Sequence, residues 1–178
     1  MMKAGAHLEI TTLRVLFVCT GNICRSPTAE GVFRHFAAQA NLDAEADSAG
    51  TRGFHFGARP DTRSVKAAAA RGIDLSGQRA RKVEKTDFET FDLIVALDRG
   101  HLRHLERLRP SGARAEVRLL MAFAGDRDLE DVPDPYYGGA AGFEHALDLI
   151  EAGVRGIIAE IRRRNSDHRS SGYTASGA

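Results

Sequence analysis

The chain has 178 residues, of which 43% are hydrophobic and 28% charged, and its formal net charge is +1 at pH 7. These values are ordinary for one globular domain with a real core, and nothing in them indicates a nucleic-acid-binding or membrane-surface protein. Two cysteines are too few for a disulfide scaffold and, without a histidine cluster, make a poor zinc site. With no leader-like or membrane-spanning apolar run, we expect a cytoplasmic protein.

The first predicted strand covers about residues 13–18 and follows an N-terminal extension, residues 1–12, that lacks periodicity and is expected to be flexible. Its apolar run is short, continuous and rich in β-branched residues, which is typical of a buried strand. The residues that come next, called the cysteine loop below, are Cys19-Thr20-Gly21-Asn22-Ile23-Cys24-Arg25-Ser26-Pro27. The sequence therefore predicts a strand that ends at a cysteine and continues through a tight loop into a helix.

The composition of the cysteine loop favours a tight turn before a helix. Gly21 and Asn22 adopt a positive φ at low steric cost. Ser26 followed by Pro27 is typical of a helix start, with the serine as the N-cap and the proline at the first helical position. The loop is therefore expected to curl its backbone N–H groups toward one point next to the positive end of a helix.

Such a loop can bind a tetrahedral anion. The backbone N–H groups of residues 20–24 and the helix N-terminus would surround the anion, and Arg25 would bind two of its oxygens through its planar guanidinium. The same positive field favours Cys19 as a thiolate that faces the bound phosphorus. We therefore predict a phosphate-binding loop after the first strand, with in-line displacement at phosphorus through a cysteinyl phosphate.

Strands and helices alternate along the remainder of the chain. The predicted elements are a helix from Pro27 to Asn41, a weak strand at 44–48, a helix at 61–71, a strand at 91–97, a helix at 99–108, a strand at 116–120 and a helix at 143–164. Residues 49–60 and 132–139 are predicted loops, called the aromatic loop and the Asp134 loop below. Residues 13–164 then form a single three-layer α/β domain, a four-stranded parallel sheet with helices on both faces, and residues 165–178 are expected to be a disordered tail.

Four stretches of the sequence resemble motifs of a known protein family. Residues 15–30 read Val-Leu-Phe-Val-Cys-Thr-Gly-Asn-Ile-Cys-Arg-Ser-Pro-Thr-Ala-Glu and closely resemble the signature of bacterial-type low-molecular-weight protein tyrosine phosphatases. The resemblance recurs, in the family's order, at Asp47-Ser48-Ala49-Gly50-Thr51, Gly72-Ile73-Asp74-Leu75 and Asp134-Pro135-Tyr136-Tyr137. It extends over about residues 13–164. It implies a hydrolase that removes phosphate from phosphotyrosine in proteins without a cofactor or a metal.

The resemblance also implies three catalytic roles. Cys19 is the nucleophile, Arg25 binds the phosphoryl oxygens and stabilises the transition state, and Asp134 is the general acid and then the general base. The residues by themselves leave Asp134 open, because an aspartate before Pro135 also fits an ordinary turn. Asp98, at the end of a predicted strand, is a competing carboxylate, and we prefer to interpret it as a helix N-cap.

Further residues are predicted to line the site. By resemblance, Tyr136 and Tyr137 flank the mouth opposite Phe54 of the aromatic loop, which makes a pocket suited to phosphotyrosine. Asn22 holds the cysteine loop open, and the hydroxyl of Ser26 helps to hold the thiolate. The remaining substrate-binding candidates are Thr20, Gly21, Ile23 and Cys24.

Three histidines and the second cysteine receive no assigned role. His101 stands where the family usually has asparagine, and we predict a surface helix histidine there and at His104. His55, in the aromatic loop, is the one histidine expected near the site. Cys24 is close enough to Cys19 in sequence for a regulatory disulfide, and a plain buried thiol is the open alternative.

Proteins of the same fold have other activities, which are the alternatives to a tyrosine phosphatase. Protein-arginine phosphatases carry threonine where Ile23 stands, and arsenate reductases need a further cysteine beyond Cys24. A catalytically silent phosphopeptide-binding module would not require Cys19, Arg25 and Asp134 together. The implied partners are tyrosine-phosphorylated proteins, with a tyrosine kinase as a candidate, and inorganic phosphate or sulfate in the loop. No nucleic-acid partner and no membrane span are expected.

Overall fold

The computed structural model describes residues 12–125 and 128–171 of the chain. Its sheet has four parallel strands, arranged in the order β2-β1-β3-β4. The strands are β1 (Leu13–Cys19), β2 (Ala44–Gly50), β3 (Leu93–Ala96) and β4 (Glu116–Leu119). The predicted four-stranded parallel sheet is confirmed. The predicted flexible extension, except for Thr12, lies outside the described residues.

The described residues also form five α-helices and one 3₁₀ turn. They are α1 (Arg25–Gln39), α2 (Thr62–Ala69), α3 (Asp87–Thr90), α4 (Arg99–Leu108), α5 (Ala140–Ser171) and a 3₁₀ turn (Leu120–Phe123). α3 and the 3₁₀ turn were not predicted, because four residues are too few to show a helical period. Among these helices none is both long and apolar enough to cross a lipid bilayer.

The alternation of side chains along β1 separates two apolar cores. Val15 and Phe17 face the core that α1, α2 and α5 cover, and both are fully buried. Leu16 and Val18 face the opposite core, where Leu105 of α4 packs. Helices therefore cover both faces of the sheet, as predicted, and β1 is buried on both sides. This burial fixes the position of Cys19 at the end of the strand.

The start of α1 differs from the prediction. The helix begins at Arg25, its N-cap residue is Cys24, and no side chain caps its N-terminus. Ser26 is the second helical residue, so the prediction of Ser26 as N-cap is wrong. Its hydroxyl lies against the Cys19 sulfur and accepts a hydrogen bond from Asn22 instead of capping the backbone. The Ser26 side chain lies in the first turn of α1, but it bonds to residues of the cysteine loop and does not cap the helix.

The C-terminal helix is longer than predicted. α5 continues to Ser171, past the predicted end at Arg164, so the expectation of a disordered tail is wrong for residues 165–171. Residues 172–178 lie outside the described part of the chain. The Ser166 hydroxyl donates to the Arg162 carbonyl one turn earlier, which suits a helix without proline at this point. The polar composition of residues 165–171 therefore did not prevent these residues from extending α5.

Candidate active site

The cysteine loop lies where the connectivity of the sheet reverses. β1 is paired with β2 on one side and β3 on the other, and Cys19 is the last residue of β1, opposite Gly50 of β2. In open parallel sheets, ligands bind in the crevice beyond the carboxyl ends of the strands at such a point. The topology therefore places Cys19 at the edge where a ligand site is expected.

The carbonyl groups of the cysteine loop face the body of the protein. The carbonyl oxygens of Cys19, Thr20, Ile23 and Cys24 accept hydrogen bonds from the backbone N–H groups of Thr51, Arg52, Asp61 and Thr28, respectively. Because carbonyl groups that are used in this way turn the neighbouring N–H groups to the other side, the concave side of the loop carries donors. A loop of this kind, followed by the N-terminus of α1, suits a tetrahedral anion.

Asn22 holds the loop in its bent shape. Its backbone φ is +57°, in the left-handed region, and its side chain is buried. Its Nδ2 donates to Ser26 Oγ at 2.8 Å and to Ser48 Oγ at 2.9 Å, and its Oδ1 accepts from the backbone N–H of Arg81 at 3.0 Å. Ser48 in turn donates to the buried carboxylate of Glu30 at 2.6 Å, and burial raises the pKa of Glu30. The loop is therefore tied to β2, α1 and the segment after α2 through one side chain.

The two cysteines differ in their surroundings. The Cys19 sulfur lies 2.9 Å from Ser26 Oγ, which accepts from Asn22, and the single Ser26 hydrogen has two acceptors in reach, this sulfur and the Ala49 carbonyl oxygen at 3.3 Å. Burial, followed by the negative charge of Asp61, raises the pKa of Cys24 to about 12, so this thiol stays protonated at neutral pH. Both cysteines are free. Whether oxidation joins them stays a prediction.

Arg25 is buried and held by two acceptors. Its Nη1 donates to Asp98 Oδ2 at 2.9 Å and to the Val132 carbonyl oxygen at 3.0 Å, and 4% of the residue is exposed. Asp98 is also the N-cap of α4, where its Oδ1 accepts from the His101 N–H at 2.9 Å, so the preferred N-cap interpretation is confirmed. The ion pair between Asp98 and Arg25 was not predicted, because the two residues are far apart in the chain.

His101 is a buried residue of the site. The prediction of a surface histidine is wrong, because the first turn of α4 packs against the cysteine loop. Its Nε2 lies 2.8 Å from Thr20 Oγ1 and its Nδ1 lies 3.1 Å from Asp98 Oδ1. Burial, opposed by the negative charge of Asp98 and reinforced by the positive charge of Arg25, lowers the pKa of His101 from 6.5 to about 4. The imidazole is therefore neutral at neutral pH.

Above the cysteine loop lies an open cavity of about 250 Å³. It brings together the predicted residues Cys19, Thr20, Gly21, Ile23, Cys24, Arg25, Phe54, Asp134, Tyr136 and Tyr137, together with His55. Asn22 and Ser26 do not line it, because they lie beneath the loop and support it. Residues predicted from three separate segments, the cysteine loop, the aromatic loop and the Asp134 loop, therefore meet around one cavity.

Aromatic side chains form the rim of the cavity. Phe54 is 79% exposed and Tyr137 is 93% exposed. The rings of Tyr136 and Tyr137 meet edge to face, with centroids 4.9 Å apart. Arg63 of α2, which sequence reasoning missed, supports this rim, since its guanidinium lies 5.5 Å from the Tyr136 ring centroid and donates to the Tyr136 carbonyl at 3.0 Å. The exposed rings suit a planar aromatic group that enters from solvent.

Asp134 stands at the mouth with one oxygen anchored. Its Oδ1 accepts from the Tyr136 N–H at 3.1 Å, and its Oδ2 lies 3.3 Å from Arg25 Nη2. The carboxyl side chain is 46% exposed, whereas the side chain of Asp98 is 23% exposed and engaged by Arg25 and His101. Of the two candidate carboxylates, Asp134 is the one that can exchange a proton with a group in the cavity. No cluster of three or more metal-ligating side chains occurs within residues 12–125 and 128–171.

Comparisons with known proteins agree with this geometry. The family model of the low molecular weight phosphotyrosine protein phosphatases matches residues 14–167. A low molecular weight protein-tyrosine-phosphatase of Streptomyces coelicolor is 49% identical over 159 residues, which are 86% of this chain and 96% of that protein. The structure of YfkJ from Bacillus subtilis matches with a TM-score of 0.81 and 38% identity, over 86% of this chain and 97% of that one. The Drosophila arginine phosphatase DARP matches with a TM-score of 0.80 and 31% identity, over 84% and 98%.

Proposed function

The chain belongs to the low molecular weight phosphotyrosine protein phosphatase family and is a protein-tyrosine phosphatase, and we propose that Cys19, Arg25 and Asp134 carry out its reaction. One observation supports this assignment above all. A buried guanidinium, fixed by Asp98 and a backbone carbonyl, lies at a cavity that also receives a nucleophilic sulfur and a half-exposed carboxyl group.

In the first step, the Cys19 thiolate attacks the phosphorus of phosphotyrosine. A sulfur–phosphorus bond forms as the bond from phosphorus to the phenolic oxygen breaks, and the Asp134 carboxyl group gives its proton to the leaving oxygen. Arg25 and the N–H groups of residues 20–24 stabilise the charge on the three non-bridging oxygens. The hydroxyl of Ser26, oriented by Asn22, stabilises the sulfur as it becomes the leaving group in the next step.

In the second step, water hydrolyses the cysteinyl phosphate. Asp134, now a carboxylate, takes a proton from the attacking water, the sulfur–phosphorus bond breaks, and Cys19 returns to the thiolate as inorganic phosphate forms. The mouth position of Asp134 serves both steps, because the phenolic oxygen and the water approach phosphorus from the same open side. The product phosphate, or sulfate in its place, is an expected inhibitor that occupies the cysteine loop.

The aromatic rim supports tyrosine as the phosphorylated residue. Phe54 and Tyr137 both line the cavity and are both exposed, and Ile23 adds an apolar wall. A phosphoserine is too short to place its phosphate on the loop while its backbone clears this rim. Tyrosine-phosphorylated proteins, with a tyrosine kinase as a candidate, are therefore the proposed partners, and the cytoplasm is the proposed compartment. Phosphoarginine is the second candidate, because the chain also resembles a Drosophila arginine phosphatase.

The direct test measures hydrolysis of p-nitrophenyl phosphate, a phosphotyrosine peptide and phosphoarginine in the presence of EDTA. We expect turnover of the first two substrates, the peptide preferred over phosphoarginine, and no turnover by Cys19→Ser. Asp134→Ala is expected to slow phenyl phosphate about 10²- to 10³-fold and p-nitrophenyl phosphate much less, because p-nitrophenolate leaves without a proton.

Asp131→Ala is the matched control for the Asp134 variant. Asp131 belongs to the same segment, but its carboxylate pairs with Arg99 and does not line the cavity. Its substitution should leave the dependence on the leaving group unchanged. Undiminished turnover by Cys19→Ser would exclude Cys19 as the nucleophile, and equal effects of the two aspartate variants would exclude Asp134 as the acid.

A further inference from the structure

Three exposed cations, one in the aromatic loop and two near it, have no ion-pair partner among the residues that the structure describes. Within the described residues, no carboxylate pairs with the side chains of Arg52, Lys82 or Arg107, which are called the cation cluster below. Several other surface arginines are paired, since Arg71 contacts three carboxylates and Arg118 pairs with Glu116 and Glu160, although Arg162 and Arg163 on α5 form no ion pair within the described residues. What distinguishes the cation cluster is its place beside the cavity, where unpaired cations are free to meet an external anion that a substrate carries.

Backbone contacts place the cation cluster next to the cavity. The Arg52 N–H donates to the Thr20 carbonyl at 3.0 Å, so its residue adjoins the cysteine loop directly. Lys82 forms a bridge with Gly50, and its Cδ lies beside Gly53, one residue before the rim residue Phe54. The side chain of Lys82 therefore runs along the base of the aromatic loop.

The third cation lies on the neighbouring helix. Arg107 is in the last turn of α4, six residues after His101, so it lies about 9 Å along the helix axis from the residue that contacts the cysteine loop. The half-buried His104 lies between them, and after burial the positive charges of Arg107, Arg52 and Lys82 lower its pKa. The three cations therefore act on one region. The acids nearest to them in sequence, Glu84 and Glu106, form no ion pair with them in the described structure.

We propose that the cation cluster, Arg52, Lys82 and Arg107, is a docking surface for acidic residues that flank the phosphotyrosine of a substrate protein. This inference rests on the proposed function, because the phosphotyrosine in the cavity anchors the peptide. Phe54 is exposed, lines the cavity and follows Gly53, beside which the Lys82 side chain lies, so its ring offers a surface for the peptide residues next to the phosphotyrosine.

The test compares two phosphotyrosine peptides that differ only in flanking residues, Asp and Glu in one and Asn and Gln in the other. At low salt we expect the wild-type protein to show a kcat/KM about three- to tenfold higher for the acidic peptide, since each exposed charge pair contributes modestly. The preference should approach one at high salt, because the charges are exposed and screened.

Substitutions locate the preference on the surface. Lys82→Gln combined with Arg107→Gln is expected to remove most of it, and Arg52→Gln alone to reduce it, which gives a second variant if the double variant is unstable. Arg162→Gln combined with Arg163→Gln removes the same charge from the exposed side of α5 and is expected to keep the preference. If the control pair loses as much as the cluster pair, net charge is responsible and the docking surface is wrong.

The two proposals fail in different ways. If the wild-type protein hydrolyses neither peptide, the proposed function is wrong. If it hydrolyses both peptides with equal kcat/KM at low salt, the tyrosine phosphatase activity stands and the cation cluster does not select substrates.

Discussion

Replacing Asn22 by alanine tests whether one buried side chain maintains the shape of the cysteine loop. The substitution removes three hydrogen bonds, to Ser26, Ser48 and the N–H of Arg81, and leaves the Arg81 N–H without its acceptor. It also places alanine at a φ of +57°. Asn41 offers a matched control, since it has a φ of +50° at the end of α1 and is exposed.

The expected loss of stability follows from these contacts. Three hydrogen bonds at about 1 kcal/mol each and about 1 kcal/mol of left-handed backbone strain give a decrease of about 4 kcal/mol in the free energy of unfolding for Asn22→Ala. Asn41→Ala introduces the strain alone, about 1 kcal/mol. In a chain of this length the corresponding falls in Tm are roughly 10 °C and 3 °C.

Urea unfolding of the two variants and the wild type, followed by circular dichroism, measures both decreases. Binding of inorganic phosphate, measured by its inhibition of p-nitrophenyl phosphate hydrolysis, should weaken for Asn22→Ala and not for Asn41→Ala. If the two substitutions cost the same free energy within about 1 kcal/mol, the side-chain network of Asn22 does not stabilise the loop, and the reasoning from these hydrogen bonds is refuted.

Three further predictions concern other residues. Because burial raises the pKa of Cys24 to about 12, iodoacetamide at pH 7.5 should alkylate Cys19 and leave Cys24 unmodified in peptide mass spectra, and modification of Cys24 first would contradict this. The pKa of His101 is 6.5 in the unfolded chain and about 4 in the folded protein. Its contribution to stability is therefore complete above pH 6.5 and is lost as the pH falls toward 4, because the unfolded chain then binds a proton that the folded protein does not. His101→Asn should flatten this part of the stability–pH curve. Gly156→Ala should destabilise the protein by about 2 kcal/mol in urea unfolding, since its Cβ would overlap a backbone carbonyl of the 3₁₀ turn, whereas Gly142→Ala, with ordinary contacts only, should not.

Local patterns in the sequence determined the elements of the fold. The apolar run of β1, the glycine and asparagine after it and the periodic apolar face of α5 predicted a parallel α/β domain with a phosphate-binding loop, because strand burial, turn formation and helix packing depend on near neighbours. The motif of the cysteine loop was enough to predict Cys19 and Arg25 as site residues. Asp134 required a resemblance, since an aspartate before proline has no local feature that distinguishes an acid catalyst from a turn.

Only the tertiary structure determined which side chains support those residues. His101 was predicted on the surface and is buried against Thr20, Asp98 proved to hold Arg25 as well as to cap α4, and Ser26 faces the nucleophile and does not cap its helix. Such contacts join segments that are distant in the chain, and they depend on how helices pack over the ends of the strands. The sequence predicted the proposed reacting groups, with a resemblance needed for Asp134, and the packing of α4 and the Asp134 loop against the cysteine loop decided how those groups are oriented.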